Sequence, residues 1–422
     1  MHRWQWALRL LTRRMWFRAA LFCIFAVGIA LAGAIVGHTI SYEFAAKVGA
    51  ESVDNILNVL ASSMLAVTTF SLTAMVSAYA GATSNITPRA VQLLIEDATA
   101  QNALATFLGS FLFAIVGIIA LSTGLYGESG RVILLGGTIA VIANIVITFL
   151  RWIEHITRFG RVNDTIERIE CAAFKAADAM ACSPQFGPRQ RRPVPDGATR
   201  IYHNCIGRVT HVDIAALRDL AETIEDEIVL SALPGTMADP ARMLAWTTAT
   251  LTDDQRERMR AAFTVAHDRA FDHDPRFGLV VLSEIASRAL SPAVNDPGTA
   301  IAVIEAGTRV LTSVLAPEKP EKSDPDERVI MPQFAFPDLL HDLYRPIARD
   351  GAAILEVAIR LQKSLAALVA IAPNAATDCT ACAKDALARS LAIMDAESDR
   401  ARLMQVHRRY WPQAMIDTKY TP

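Results

Sequence analysis

The sequence predicts an α-helical membrane protein: four transmembrane helices followed by a cytoplasmic α+β domain that is mainly helical. Three observations carry this. Hydrophobic residues make up 52% of the 422 residues and charged residues only 20%, below the quarter usual for soluble chains. The apolar excess lies almost wholly before residue 152, in runs at about 18–40, 56–80, 103–125 and 132–151. Each run reaches the roughly 20 residues needed to cross about 30 Å of hydrocarbon. Third, the basic residues flanking these runs fall on one side.

The first run follows Arg3, Arg9, Arg13, Arg14 and Arg18. It is longer than a signal-peptide core and no A-x-A site follows it, so it reads as a retained span. Met15, Trp16 and Phe17 suit the membrane interface. Gly33 and Gly37 are four apart and allow a neighbouring helix to approach closely. The second run has no charged residue between Asn55 and Pro88, and carries Ser62, Thr69, Thr73 and Ser77 at helical spacing. Thr87 and Pro88 then read as the N-cap and first position of a short helix whose Val91, Leu94 and Ile95 share one face. That helix either lies at the membrane surface or packs on the soluble domain. The third run carries Gly109, Ser110 and Gly117, again small residues for close packing.

Orientation follows from Lys and Arg. The segment between the first two runs has Lys47 and the segment between the last two has Arg131. By contrast, Arg151, Arg158, Arg161, Arg168 and Lys175 follow the fourth run. Both termini are therefore expected in the cytoplasm of a bacterial inner (cytoplasmic) membrane.

Four regions result: a transmembrane domain over 1–152, a helical extension and basic linker over 153–198, a small α/β unit over 199–270 and a helical region over 271–422. The stripe Ile153, Ile156, Ile166 and Ile169 continues the fourth helix. Ser183–Gly197, with prolines and Arg189, Arg191 and Arg192, breaks it. Strands are expected at Ile206–Val212, Ile228–Ala232, Met243–Thr248 and Phe263–His267, with Asp213 and Thr252 capping the helices between them. Helices are expected at about 277–290, 298–316, 337–349, 350–372, 376–393 and 395–409, with a surface loop at Glu318–Arg328.

The net charge of −2 gives no reason to expect a nucleic-acid partner. The six cysteines lack a disulfide spacing and fit a reducing compartment. Cys379 and Cys382 form a lone C-x-x-C without a matching pair for zinc. Asp272, His273 and Asp274 are adjacent loop residues, which rarely converge on one metal. No phosphate-loop, dinucleotide, zinc-protease or serine-hydrolase motif occurs, so no enzyme class, metal or cofactor is expected. In the segment Ser291-Pro292-Ala293-Val294-Asn295-Asp296-Pro297-Gly298-Thr299, Asn295 favours a turn. Asp296 is placed to cap the following helix and Pro297 to open it. A rigid helix-to-helix corner results, with a helix N-terminus that could also take an anion.

Several of these stretches resemble the signature of an uncharacterised bacterial membrane family, the proteins of domain of unknown function 2254. The resemblance rests on Arg288-Ala289-Leu290-Ser291-Pro292 with Asn295-Asp296-Pro297 and Thr299-Ala300, and on the lead-in Asp272, Asp274, Phe277 and Gly278. It rests also on the turn formed by Ser84 with Pro88 and Arg89. Gly298 stands where the family usually has a larger, often aromatic, residue. The resemblance runs from the first span to about residue 315. It implies a membrane location and a cytoplasmic domain, and no activity.

Functionally, the hydroxyl residues Ser62, Thr69, Thr73 and Ser77 either pack against neighbouring helices or line a polar path. Apart from Arg18 and Arg151 at their ends, the four runs carry no acidic or basic residue. Asn144 and His38 are among their few other strong polar groups, which argues against a proton relay. The leading expectation is a homo-oligomeric pore for ions or small solutes gated by the cytoplasmic domain. The alternative is a membrane-anchored regulatory or scaffold protein whose cytoplasmic domain binds a partner or small ligand. A third reading is an enzyme using the 272–299 region.

Overall fold

The computed structural model describes residues 50–123, 128–158, 160–181, 192–315, 328–332 and 334–412. Of the first expected span it describes Phe17, Ala19, Ala20, Leu21, Cys23, Ile24, Val27 and Gly28, all helical. The remainder of that span, including Gly33, Gly37 and His38, lies outside the described residues, as do most of the 183–197 and 318–328 loops. The chain divides into two compact units, Trp6–Arg161 and Val162–Pro422.

Among the residues described from Ala50 onward, the first unit is built on three long helices. Helix α1 spans Ala50–Asn85, a 3-10 turn covers Pro88–Ala90, and α2 covers Val91–Ile95. Helix α3 spans Ala98–Ser122 and α4 spans Glu128–Arg158. By length and composition, Val53–Gly81, Val91–Ser122 and Ile133–Arg158 are long and apolar enough to cross a membrane. Their core joins Leu57, Leu60, Met64 and Met75 to Phe107 and Phe113 and to Leu134, Ile145 and Trp152. Gly109, Ser110 and Gly117 of α3 are buried. A β-carbon on Gly117 would lie 3.0 Å from Leu57 Cδ1, so glycine there lets α1 and α3 approach closely.

Ile86, Ala90 and Leu94 are buried within the first unit's own fold. The short helix therefore turns Leu94 inward, while Ile95 of the same expected face is 43% exposed.

One further helix meets the same length and composition test, Pro297–Leu315. It lies in the second unit and carries Glu305 and Arg309. Arg309 grips Glu170 at 2.5 and 2.7 Å and Arg360 reaches Glu305 at 3.1 Å. Its Val303, Ile304, Val310 and Leu311 are buried, so it is a core helix whose apolar face is covered by protein.

The helix expected to run on from the fourth span is interrupted. Helix α4 ends at Arg158, Gly160 adopts φ +77°, and α5 begins anew over Val162–Ala181. A left-handed backbone is easily adopted only by glycine, which ends the helix there.

The second unit continues with β1 (Thr199–Tyr202), β2 (Gly207–Val212), α6 (Ile214–Thr223), β3 (Ile228–Leu230), β4 (Met237–Ala238), β5 (Met243–Thr247), α7 (Asp253–Ala261) and β6 (Phe263–Ala266). The sheets have the orders β1-β5-β3-β7 and β4-β2-β6, where β7 is Val329–Ile330 and pairs parallel to β3. Asp213 caps α6 by accepting from Ala216 N at 3.0 Å. Thr252 and Gln255 form a full capping box on α7. The four strands expected from alternation are present, each ending within two residues of its expected limits. The short strands β1, β4 and β7 were not expected.

Helices α8 (Pro275–Ala289), α9 (Pro297–Leu315), α10 (Phe336–Asp350), α11 (Leu355–Ile371), α12 (Ala376–Ile393) and α13 (Glu397–Tyr410) complete the unit. Glycines set the helix spacing. A β-carbon on Gly307 would come 2.3 Å from Leu343 Cδ2. Beside this contact the hydroxyls of Thr308, Tyr344 and Ser364 bond one another at 2.5–3.1 Å, so these buried polar groups are mutually satisfied.

Candidate functional site

Two places hold the residues that the sequence singled out. The first is α1. At 100° per residue, its buried face carries Leu57, Met64, Ser71 and Met75. Ser62, Thr69, Thr73 and Ser77 lie on the opposite side, and all four are exposed. They run down the middle of the exposed arc. Leu65 (53% exposed) and Leu72 (49%) border them on one side and Phe70 (70%) on the other. The hydroxyls bond to their own helix: Ser62 Oγ donates to Asn58 O at 3.0 Å, Thr69 Oγ1 to Leu65 O at 2.9 Å and Thr73 Oγ1 to Thr69 O at 3.0 Å. Each of these donors is therefore satisfied while its oxygen keeps an outward lone pair. Packing against neighbouring helices of the described chain does not account for the stripe.

The second place is the entry to α8 and the corner before α9. Asp274 is buried and caps α8, accepting from Phe277 N at 3.0 Å. Its other oxygen accepts from Arg269 at 2.8 and 2.7 Å. Arg269 also lies 4.9 Å above the Phe277 ring, which meets the Phe271 ring at a 39° tilt with centroids 4.5 Å apart. Burial pushes the Asp274 carboxyl up while the Arg269 charge opposes that shift. Gly235, at φ +90°, passes so near that a β-carbon would sit 2.2 Å from Asp274 Oδ2. No sequence spacing signals that the Pro234-Gly235 turn closes on Asp274. Arg269 was also missed, because an arginine five residues before an aspartate is not a recognisable spacing. Gly278 faces Ala173 of α5, and Asp272 is half-buried.

The corner explains itself locally. Asn295 has φ 50°. Asp296 N donates to Ala289 O at 2.8 Å, closing the turn. Asp296 caps α9, accepting from Thr299 N at 3.1 Å and Thr299 Oγ1 at 2.6 Å. These bonds hold its carboxyl below the usual range. Ser291 Oγ donates to Arg288 O at 2.7 Å. Pro292, Ala293, Val294, Asn295 and Asp296 are exposed, and Pro297 opens the helix. Of the residues singled out by motif, Asp274, Phe277 and Gly278 form one buried cluster, and Ser291 to Thr299 form a separate, solvent-facing turn.

Pro88 and Arg89 sit exposed in the 3-10 turn, whose N-cap Thr87 is extended. The Ser84 side chain lies outside the described residues. Cys379 and Cys382 lie inside α12, and burial pushes both thiols up to about 12, the opposite of a redox-active pair. Among the described residues, no group of three His, Cys, Asp or Glu side chains is placed to hold a metal.

A carboxylate does enter the apolar region. The apolar stretch reaches back to Val91 and so takes in Asp97, which is 8% exposed. Asp97 caps α3 through Ala100 N at 2.8 Å and lies 3.0 Å from His155 Nε2 of α4. The sequence reading began the third span at about residue 103 and therefore left Asp97 outside it.

Residues 12–367 match the family model described as "Predicted membrane protein (DUF2254)". Two uncharacterised proteins, from Mycobacterium bovis and Mycobacterium tuberculosis, are each 23% identical over 287 residues, which is 64% of this chain and 55% of theirs. The chain thus spans about half the length of these relatives. No solved structure matches. With apolar helices fit to cross a bilayer and a family match over most of its length, the chain belongs to the predicted membrane proteins of domain of unknown function 2254.

Proposed function

We propose that the protein is a homo-oligomeric pore for ions or small solutes, with α1 facing the path. The observation that carries this is the line of Ser62, Thr69, Thr73 and Ser77 along the centre of the exposed arc of α1. A hydrocarbon surface offers nothing to the outward lone pairs, whereas water or a passing solute does. The large apolar side chains bordering the stripe suit contact with neighbouring copies. A bundle this small cannot enclose a path alone, so several copies arranged cyclically would be required. The Lys and Arg asymmetry supports a bacterial inner-membrane location with both termini and the second unit in the cytoplasm, where that unit would gate the path. The test is ion or solute flux from proteoliposomes. Wild-type protein should release the trapped solute, and Thr69→Leu with Thr73→Leu should block release. No flux from well-incorporated, oligomeric protein would refute the reading.

One observation favours a second reading, a membrane-anchored regulatory protein that binds a small ligand or partner. A pocket of about 260 Å³ in the second unit is lined by Arg192, Val194, Val229, Trp246, Ile330 and Met331. Its wall is mainly apolar, as small-molecule sites are, and Arg192 at its edge is paired with Glu227.

A further inference from the structure

The four-stranded sheet of the second unit buries its two faces unequally. Side chains alternate along a strand. Ile228, Leu230, Ala245 and Val329 join the main core of the unit. Val229, Trp246 and Ile330 form a separate small cluster with Val194, Ala198 and Met243. The pocket of about 260 Å³ lies on this second cluster, and the exposed Ser231 lines it too.

Three polar groups in this pocket have hydrogen-bonding capacity to spare. Trp246 is 5% exposed, and among the described residues nothing accepts from its indole N–H. A buried indole N–H ordinarily finds an acceptor. Arg192 meets Glu227 through Nη1 alone, and its remaining guanidinium donors have no partner among the described residues. The third group is the Leu230 carbonyl. Strands β3 and β7 run parallel with Ile228 opposite Val329, and Ile228 N donates to Arg328 O at 2.8 Å. In that ladder the Leu230 carbonyl comes opposite residue 332, a proline with no N–H to give.

We propose that this pocket binds a small aromatic carboxylic acid. The ring packs on Val229, Trp246 and Ile330, and the carboxylate takes the free donors of Arg192. A guanidinium fork suits a second carboxylate beside Glu227. The Trp246 N–H and the Leu230 carbonyl are left for polar substituents of the ligand. The inference rests on the ligand-binding reading of the second unit and names the ligand class for it.

The test uses phenylpropanoate and, as its uncharged counterpart, phenylpropanol. Each is titrated by calorimetry into full-length protein in lipid nanodiscs, with empty nanodiscs as the blank. The wild type should bind the acid saturably and about tenfold more tightly than the alcohol, the worth of one charge-assisted hydrogen bond. Arg192→Gln should erase that preference. Ser231→Trp, which fills the pocket, should weaken both probes about tenfold or more. Both changes are made at exposed side chains, so the fold is retained. Equal affinity for acid and alcohol in the wild type would overturn the acid class while leaving a ligand pocket. Acid binding that Ser231→Trp leaves unchanged would overturn the site. Saturable binding of neither probe would overturn the proposal and take the pocket from the regulatory reading as well. Binding is read without flux, so none of these outcomes bears on the pore.

Discussion

Gly278 of α8 meets Ala173 of α5 so closely that a β-carbon on the glycine would come 2.4 Å from Ala173 Cβ and 3.2 Å from its Cα. Both obstacles are short and rigid, so neither can swing aside. Gly278→Ala should therefore cost about 1–3 kcal/mol by overpacking. The check is the denaturant midpoint of the second unit's unfolding transition. An unchanged midpoint would mean that the two helices can separate freely.

Asp274 and Arg269 form a nearly buried pair, and breaking one side of such a pair leaves the other charge unpaired. Asp274→Asn keeps a side chain able to cap α8 but strands Arg269. It should cost about 3 kcal/mol. Adding Arg269→Met should recover part of that loss. A double-mutant cycle of unfolding free energies measures the coupling, and strict additivity would contradict the pairing.

His407 of α13 is buried. Gln362 Nε2 donates to Ala383 O at 2.9 Å, so the Gln362 carbonyl faces His407 Nδ1 at 2.9 Å and Nδ1 is the donor. Burial, and then the charge of Lys384, lowers the His407 pKa below its usual 6.5. Above about pH 6.5 neither folded nor unfolded chain binds this proton, and stability is complete. As pH falls below that, the unfolded chain takes the proton first and stability drops, by at most about 1.4 kcal/mol per pH unit for one proton. Unfolding midpoints measured from pH 8 to 5 should show this fall in the wild type and a flatter profile in His407→Gln.

Thiol chemistry separates the cysteines. Cys171 and Cys205 are exposed, whereas Cys379 is buried and Cys382 half-buried, both with thiols pushed up to about 12. At neutral pH, alkylation followed by mass spectrometry should modify Cys171 and Cys205 first. Cys379 and Cys382 should react only as α12 opens. Rapid modification of Cys379 in folded protein would contradict the packing of α12.

The parts of the fold that were legible in the sequence are those set by local chemistry. The apolar runs gave the long helices, alternation gave β2, β3, β5 and β6, and Asp213 and Thr252 announced their caps. The corner at Asn295-Asp296-Pro297 was legible for the same reason, since turn, cap and first position use neighbouring residues. Long-range closures were not legible. Gly235 against Asp274, Gly278 against Ala173 and Asp97 against His155 join residues 39 or more positions apart, and no periodicity records such meetings. Strands β4 and β7, two residues each, are too short to show alternation. The interruption at Gly160 was missed because the apolar stripe resumes on its far side. For α1, the sequence showed the hydroxyl stripe but not whether another helix covers it. The structure leaves it exposed.

The central claim is that the stripe on α1 borders water in the assembled protein. Single cysteines at Thr69, Thr73, Phe70 and Leu72, in full-length protein reconstituted into lipid with its native thiols replaced, test it through labelling by a charged, membrane-impermeant thiol reagent. Thr69→Cys and Thr73→Cys should label readily, while Phe70→Cys and Leu72→Cys, on the borders, should label slowly. Equal resistance at all four positions would place the stripe against lipid or protein and contradict the claim.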